Sequence, residues 1–236
     1  MNKEIYETLW ETGWEDARYY GPIARHSRRI INEMIKDLNI ASVLDVGCGE
    51  CSLLNTIFQN HCPSSISGID ISNKALKICQ NLFPNGSFYK LDITKDKLEE
   101  NFDLIISADV IEHLDNDQAA IKNMSAMLNP SGRLIISTLL GEMREVERQV
   151  GHLRNYSKKD LLKKINNAGL QIEHVTTWGW PIFSPFYRNL LNLIGNKGTM
   201  GKFGLIRKMI CNILYYIFYF NSSSKGDYIF IRAKRI

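Results

Sequence analysis

Short, nearly continuous apolar runs recur along the chain and alternate with segments whose apolar residues return every three or four positions. Runs of this kind predict strands buried on both faces, and the wider spacing predicts amphipathic helices. The seven predicted strands are Val43–Val46, Ser65–Ile71, Ser87–Leu91, Phe102–Ser107, Leu134–Thr138, Gln171–Trp178 and Asp227–Ala233. Strands that alternate with helices predict an α/β fold with a mostly parallel sheet and helices on both faces.

Helices are predicted between most of these strands. Asn73–Leu82 and Asn116–Leu128 have helical spacing, and the second is expected to end at the turn sequence 129–132. Ser157 and Asp160 have the spacing of a capping box at the start of a further helix, which Gly169 would terminate.

The pattern predicts a single domain. Its parts are an N-terminal helical segment (1–40), a core (41–178), an insertion before the last strand (179–225) and the final strand (226–236). A length of 236 residues fits one domain of this class, and 44% apolar with 23% charged residues excludes a disordered chain.

The cysteines and the longest apolar run bear on location. Five cysteines in a chain of this length do not predict a disulfide framework, which favours a reducing cytoplasm. The N-terminus lacks the apolar stretch of a signal peptide. The run Met209–Phe220 is shorter than the ~20 residues of a membrane span. A cytoplasmic protein is expected, with at most peripheral contact at the inner membrane surface.

The most informative motif is the glycine loop VLDVGCGEC at 43–51. Gly47 and Gly49 lie between a strand and a helix, where the backbone can approach a ligand and helix N–H groups are free. A pyrophosphate would be repelled by Asp45, two residues before the first glycine. A sulfonium ligand suits that carboxylate better, so the loop favours S-adenosylmethionine over a dinucleotide.

Two further acids follow the next two strands. Asp70 ends the second strand and can accept both ribose hydroxyls of an adenosine, with Ile71 against the base. Asp92 follows the third strand, where it can accept from the adenine amino group. Each acid alone could be a helix cap. Together they lie at the edge where open α/β sheets bind ligands.

This ordered set of motifs resembles the class I S-adenosylmethionine-dependent methyltransferases. The chain looks closest to the small-molecule branch that includes the ubiquinone and menaquinone biosynthesis methyltransferases. The motifs are VLDVGCGEC, GIDIS, KLDIT, FDLIISADVIEHLDN and LNPSGRLIIST, in that order, and the resemblance covers about 41–178 plus the last strand.

The resemblance implies a Rossmann-like sheet of seven strands with the last strand antiparallel. It implies that Asp45, Gly47 and Gly49 contact the methionine part, that Asp70 binds ribose and that Asp92 with Ile93 binds adenine. We add Ile71 and Asp109 to this predicted cofactor set. One departure is Cys51, which stands where the family usually has a third glycine, and its side chain should narrow the space behind the methionine end.

Two histidines are candidates for a general base. His113 follows the fourth strand, and His152 follows the fifth, so both are expected at the ligand-binding edge. A histidine titrates near neutral pH and could take a proton from the acceptor. His152 is the favoured base, and His113 could equally cap a helix or support the site. Four aromatic residues are predicted to contact substrate: Trp14, Tyr20, Tyr156 and Trp180.

The acceptor is expected to be a small or lipid-linked organic molecule, methylated at oxygen. The alternatives are N-methylation of a small amine and a cofactor-binding protein without catalysis. The site SADVIEH at 107–113 lacks the proline pair of the nucleic-acid amino-methylating enzymes, so no nucleic acid is expected. Metal-ligand spacing is not recognisable either, and no metal is predicted.

Segment 179–225 concentrates positive charge and aromatic residues. The whole chain has a net charge of +4, yet no acidic residue occurs between Glu173 and Asp227. Three interpretations stay open: a helical cap over the substrate pocket, a membrane-surface contact, and a platform for single-stranded nucleic acid. Dimerisation is compatible with each. The N-terminal segment is expected to fold over the cofactor as a lid, or simply to pack on the sheet.

Overall fold

A computed structural model describes residues 14–194 and 201–236, and the side chains of 16–193 and 201–236. Within these ranges the seven predicted strands form one sheet in the order β3-β2-β1-β4-β5-β7-β6. The strands are β1 (Ser42–Val46), β2 (Ser65–Asp70), β3 (Ser87–Lys90), β4 (Phe102–Ala108), β5 (Leu128–Leu139), β6 (Leu170–Trp178) and β7 (Tyr228–Arg235). The prediction of a seven-stranded α/β fold is confirmed.

Helices connect the strands and cover both faces of the sheet. In the described ranges they are α1 (Trp14–Tyr20), α2 (Pro22–Ile35), α3 (Ser52–His61), α4 (Asn73–Leu82), α5 (Asp117–Ala126), α6 (Glu145–Gln149), α7 (Lys158–Asn166), α8 (Arg188–Ile194) and α9 (Leu205–Ile217). The predicted cap of α7 is present, since the Ser157 side chain accepts from the backbone N–H of Asp160 at 3.1 Å.

Strand directions place the loops that build the site. β1 is parallel to β2 and β4, and β4 is parallel to β5, so the carboxyl ends of these strands lie at one edge. β7 is antiparallel to both β5 and β6, as the resemblance implied. The end of β6 and the start of β7 therefore lie at the same edge, because Trp178 pairs with Tyr228.

Each face of the sheet carries its own apolar layer. Ile31 and Ile35 of α2 pack with Leu104 and Ile106 of β4 on one face. Ile121 of α5 packs with apolar residues of the same strands on the other. Burying one such side chain stabilises the fold by about 1.5–3 kcal/mol. The two layers hold the central strands, and with them the loops at the carboxyl edge.

The prediction of a turn at 129–132 is wrong. Helix α5 ends at Ala126, and these residues lie within β5. The pairing shifts between Phe102 and Leu104, because Phe102 pairs with Leu128 while Leu104 pairs with Arg133. The extra residues of β5 bulge at this shift, so the proline and glycine interrupt the register without ending the strand.

The cysteine expectation also needs correction. Cys51, at the end of the glycine loop, is disulfide-bonded to Cys79 of α4. The remaining cysteines, Cys48, Cys62 and Cys211, are free. An odd cysteine count cannot reveal a single bridge, because the pairing depends on how the loop and α4 meet in the fold.

Two helices of the insertion, α8 and α9, lie beyond the end of β6. Helix α9 packs on α2, and the Arg25 guanidinium of α2 lies 3.6 Å from the centre of the Tyr215 ring. His26 bonds the Tyr215 carbonyl oxygen at 2.8 Å and its ring stacks on Trp178. Within the described residues, no helix has the length and apolar character needed to cross a bilayer.

Candidate active site

Two cavities open at the carboxyl edge of the sheet. The first, of about 50 Å³, lies over the ends of β1, β2 and β3. Six of its lining residues are Gly47, Asp70, Ile71, Asp92, Ile93 and Asp109. All six were predicted to hold the cofactor, and the structure brings them together.

The glycine loop is shaped by close backbone contacts. Gly47 has a positive φ of 74°, and its N–H donates to the Ile69 carbonyl at 2.7 Å. A Cβ at this position would lie 2.5 Å from a methyl carbon of Val110. Glycine is therefore required here both by the conformation and by the space.

Asp70 organises the other side of this loop. One carboxylate oxygen accepts from the Gly49 N–H at 3.1 Å, and the other accepts from the Ser72 N–H at 2.9 Å. The carboxylate thus joins the glycine loop to the start of α4. Carboxylates at Asp70 and Asp92, with aliphatic side chains at Ile71 and Ile93, offer the donor set that a nucleoside requires: acceptors for hydroxyl and amino groups and apolar faces for a base.

Asp45 and Gly49 do not line this cavity. Asp45 is buried behind the loop. Burial, together with the nearby charges of Glu50 and Asp70, raises the pKa of Asp45 to about 7, although the guanidinium of Arg18 acts in the opposite direction. Near neutral pH this carboxyl is therefore partly protonated, which differs from the fully charged group that the sequence argument assumed.

Asp109 stands between the two cavities and lines both. Its backbone has a positive φ of 57°, which aims the side chain across the edge of the sheet. Its carboxylate accepts from the Arg18 guanidinium at 3.1 Å and from the hydroxyl of Tyr228. Burial alone would lower the pKa of Arg18, but the carboxylates of Glu50 and Asp109 raise it.

The second cavity, of about 210 Å³, contains the two predicted histidines. The His113 and His152 rings meet edge to face, with centroids 4.7 Å apart. Oε1 of the buried Glu112 lies 4.0 Å from Nε2 of His152, and Oε2 accepts from the Thr138 hydroxyl at 2.9 Å. Neither Oε1 of Glu112 nor Nδ1 of His113 has a hydrogen-bond partner among the described residues.

Burial sets the protonation of this group. Burial raises the pKa of Glu112 to about 8, and the charge of Asp109 acts in the same direction. Burial lowers the pKa of His113 to about 3, and the neighbouring His152 lowers it as well. Burial also lowers the pKa of His152. Both imidazoles are therefore neutral at pH 7 and can accept a proton or a ligand.

Comparison with known proteins identifies the family. Residues 39–180, more than half of the chain, match a family model described as a methyltransferase domain. The chain belongs to the class I S-adenosylmethionine-dependent methyltransferases. The enzyme is 28% identical over 129 residues to a putative methyltransferase of Invertebrate iridescent virus 6, covering 53% of this chain and 47% of the relative.

A further relative and a solved structure are also methyltransferases. A ubiquinone biosynthesis O-methyltransferase of Coxiella burnetii is 34% identical over 104 residues, 41% of this chain and 43% of its own. The chain thus spans about half the length of these curated relatives. The N-methyltransferase NodS of Bradyrhizobium japonicum, solved with S-adenosylhomocysteine, superposes with a TM-score of 0.60 at 15% identity, covering 91% of this chain and 88% of NodS.

Two clusters in the methyltransferase have metal-ligand geometry. Glu112, His113 and His152 offer ligand atoms within 4.8 Å of one another, a donor set suited to a divalent transition metal. Cys48, Cys51 and Cys79 form the other cluster, but two of its sulfurs are joined in the disulfide. The absence of a metal stays a prediction.

The predicted substrate residues are placed differently from the histidines. Tyr156 is buried, and its hydroxyl lies 2.8 Å from the Asp117 carboxylate, outside both cavities. Tyr20 lies under the Lys208 ammonium, and Trp180 is half exposed beyond β6. The side chain of Trp14 lies outside the described residues. Substrate contact by these four stays a prediction.

Several residues of the methyltransferase site were not predicted. Arg18, Glu112 and Tyr228 line the second cavity together with Arg188. The Arg188 guanidinium is buried and binds Glu147 at 2.6 Å and Asp227 at 2.9 Å. Only Glu112 had a sequence signal, since it adjoins His113. The others come from distant segments that only the fold brings together.

Proposed function

We propose that this methyltransferase transfers the methyl group of S-adenosylmethionine to a hydroxyl oxygen of a small or lipid-linked organic acceptor. The observation that carries the proposal is the position of Asp109, which borders both the nucleoside-like cavity and the cavity of His113 and His152. A cofactor in the first cavity would have its reacting end at Asp109, and an acceptor in the second would face it.

The first cavity fits the cofactor by its chemistry. When bound, S-adenosylmethionine supplies an electrophilic methyl group on a positively charged sulfur. Asp70 would accept from the ribose hydroxyls, and Asp92 from the adenine amino group. Lys95 lies 3.0 Å from Asp92 but is largely exposed, so that carboxylate can exchange partners. Asp109, paired with Arg18, would lie near the sulfur.

His152 is the proposed base. Its Nδ1 lies 3.4 Å from the amide oxygen of Asn155, which favours a proton on Nδ1 and a free lone pair on Nε2. The acceptor hydroxyl would give its proton to Nε2 as the oxygen attacks the methyl group. The neutral carboxyl of Glu112, whose Oε1 lies 4.0 Å from the same nitrogen, would then accept a hydrogen bond from the imidazolium. His113 would hold the His152 ring from its edge and act as a positioning residue.

The charges around the second cavity favour a neutral acceptor over an ammonium. Asp109 is paired with Arg18, and Glu147 is paired with Arg188. Burial keeps Glu112 largely protonated at neutral pH. The carboxyl groups that line this cavity in the described residues thus offer little uncompensated negative charge to a cationic amine. N-methylation stays the alternative.

Positioning and exclusion of water would supply much of the acceleration, because methyl transfer needs acceptor, methyl group and sulfur in line. Helix α1 contributes to both. Its Arg18 reaches Asp109, and the Arg28 side chain of α2 donates to the Arg18 carbonyl at 2.7 Å and to the Ser52 hydroxyl at 3.1 Å. These contacts hold the N-terminal helices over the glycine loop.

The experiment combines calorimetry with a transfer assay. We expect the protein to bind S-adenosylhomocysteine, and to move labelled methyl groups from S-adenosylmethionine to phenols or polyprenyl-linked phenols rather than to amines. His152→Ala should keep binding and lose transfer. His174→Ala, which changes an exposed histidine on β6, is the matched control. Unchanged turnover in His152→Ala would contradict the base, and a failure to bind the product would overturn the whole proposal.

A further inference from the structure

The outer face of helix α9 is apolar and exposed. It consists of Ile206, Met209, Ile210, Ile213, Tyr216 and Phe220, which recur with helical spacing along α9 and the turn that follows it. These six side chains are between 50% and 79% exposed. A continuous apolar stripe of this kind on a helix surface marks an interaction site.

The opposite face of α9 is already packed. Cys211 and Phe218 are buried, and Phe218 contacts Trp178 and Tyr187. The Tyr215 backbone bonds His26 of α2, and the Arg25 side chain donates to Asn212 at 3.1 Å. These contacts fix the orientation of α9. A small rotation of the helix would break them, so the outer face stays exposed among the described residues.

Positive charge lies beside the outer face. The Arg25 and Arg29 guanidiniums lie over the rings of Tyr215 and Tyr219, and Tyr219 stacks on Tyr216 of the outer face with centroids 6.5 Å apart. Lys202 is exposed just before the helix. No acidic residue occurs between Glu173 and Asp227, so the whole segment that carries α9 has one sign of charge.

We propose that the outer face of α9 is a docking surface for an anionic lipid bilayer. A basic helix with an apolar face lies in the plane of the membrane, with its apolar residues about 5–10 Å into the acyl boundary and its cations against the headgroups. The 13 residues of α9 span about 20 Å, which is too short for a transmembrane crossing but suits a helix lying in the interface.

The charge argues against a second copy of the chain as the occupant. In a two-fold dimer each face meets itself, so a face bordered by the guanidiniums of Arg25 and Arg29 would meet a second face of the same charge. Like charges so arranged weaken the contact. An anionic membrane meets the same apolar residues with complementary charge, and the tyrosines suit the interface because their rings are amphipathic.

A third cavity lies between the packed face of α9 and the site. It measures about 200 Å³ and is lined by Arg207 and Cys211 of α9 at one side and by Arg18 and Asp109 at the other. A lipid-linked acceptor drawn from a bilayer at α9 would pass through this cavity, which shares Arg18 and Asp109 with the acceptor cavity. This route for a lipid-linked acceptor rests on the proposed function, whereas docking itself does not depend on any reaction.

Vesicle flotation of the full chain tests the docking without cofactor. We expect binding to vesicles of phosphatidylcholine with phosphatidylglycerol, weaker binding to pure phosphatidylcholine, and loss of binding at high salt. The double variant I210E/I213E should bind at least about tenfold more weakly, because two apolar side chains no longer enter the interface. The control Leu82→Glu changes a leucine on α4 that is about as exposed as Ile210, and this variant should float as the parent does.

Each other outcome overturns the docking. Failure of the parent to float, or equal flotation on both kinds of vesicle, removes the anionic bilayer as the partner. A parent dimer in light scattering that I210E/I213E dissociates would assign the face to self-association. Calorimetry of S-adenosylhomocysteine on the same variants keeps the proposals apart, since retained binding with lost flotation supports docking and shows an intact fold.

Discussion

The guanidinium of Arg18 lies 3.1 Å from the carboxylate of Asp109, although 91 positions separate them in the chain. This contact ties helix α1 to the point where the two cavities of the active site meet. A helix of seven residues is not stable alone in water, so its position depends on such contacts.

Arg18→Ala should therefore loosen the N-terminal helix. We expect faster amide hydrogen exchange across residues 14–20 in Arg18→Ala and in Asp109→Asn, because each removes one partner of the contact. Lys36→Ala changes an exposed lysine at the end of α2 and should leave this exchange unchanged. Equal exchange in all variants would mean that other contacts hold α1.

Asp70 should control cofactor affinity. Asp70→Asn keeps the size of the side chain but removes its charge, and we expect S-adenosylhomocysteine to bind at least about tenfold more weakly, the loss of one charge-assisted hydrogen bond. Calorimetry measures this directly. Asp96→Asn, an exposed acid after β3, is the control. Parental affinity in Asp70→Asn would show that the ribose is held elsewhere.

The pH dependence of turnover should report His152. Burial lowers its pKa from the ordinary value of 6.5, so the neutral base form predominates at pH 7. We expect kcat/KM to be level near neutral pH and to fall only below pH 6.5, as the imidazole takes up a proton. In His152→Ala the remaining rate should lose this acidic limb. An acidic limb retained in the variant would belong to another group.

His113 should make the fold sensitive to acid. Its pKa is about 3 in the fold against an ordinary value of 6.5, so the unfolded chain binds a proton that the folded chain does not. Uptake of that proton by the unfolded chain lowers the free energy of unfolding. The fold has its full stability above pH 6.5 and loses up to about 1.4 kcal/mol per pH unit as the pH falls toward 3.

Urea unfolding at several pH values measures this effect. His113→Gln cannot take up the proton, so its deficit relative to the parent should shrink between pH 6.5 and pH 4. Asp45 and Glu112 titrate in the opposite sense, since their raised pKa values favour the folded chain on acidification, but both are present in parent and variant. A constant deficit would mean that His113 is not buried as a neutral group.

The Cys51–Cys79 bridge should stabilise the cofactor loops. It closes a segment of 28 residues that contains β2, and such a bridge contributes about 2–4 kcal/mol. Dithiothreitol should lower the Tm of the parent but not that of Cys79→Ser. Cys62→Ser, at an exposed free cysteine, should respond as the parent does. A Tm of the parent that reductant leaves unchanged would show that the bridge does not form in solution.

Local patterns predicted the fold well, because each strand of a parallel sheet is buried on both faces and is therefore visibly apolar. The predicted ends of a strand were wrong where pairing with a neighbouring strand decides them. The proline and glycine of 129–132 signal a turn by their own preferences, yet pairing with β4 keeps them within β5. The bridge between Cys51 and Cys79 has no local signal at all.

The cofactor side of the site was predictable for the same reason as the sheet. Asp70 ends β2 and Asp92 lies two residues after β3, so the direction of the strands places them. The acceptor side depends on contacts across the fold. Arg18 and Tyr228 meet at Asp109 from opposite ends of the chain, and no spacing in the sequence records that meeting.

The antiparallel strand β7 has a broader consequence. Since β6 ends and β7 begins at the ligand edge, any excursion between them starts and finishes beside the acceptor cavity. Its length and content can change without altering the register of the sheet or the loops after β1 and β2. This segment supplies Phe183, Arg188 and Leu191 to the second cavity, so we expect changes in it to alter the choice of acceptor more than the binding of the methyl donor.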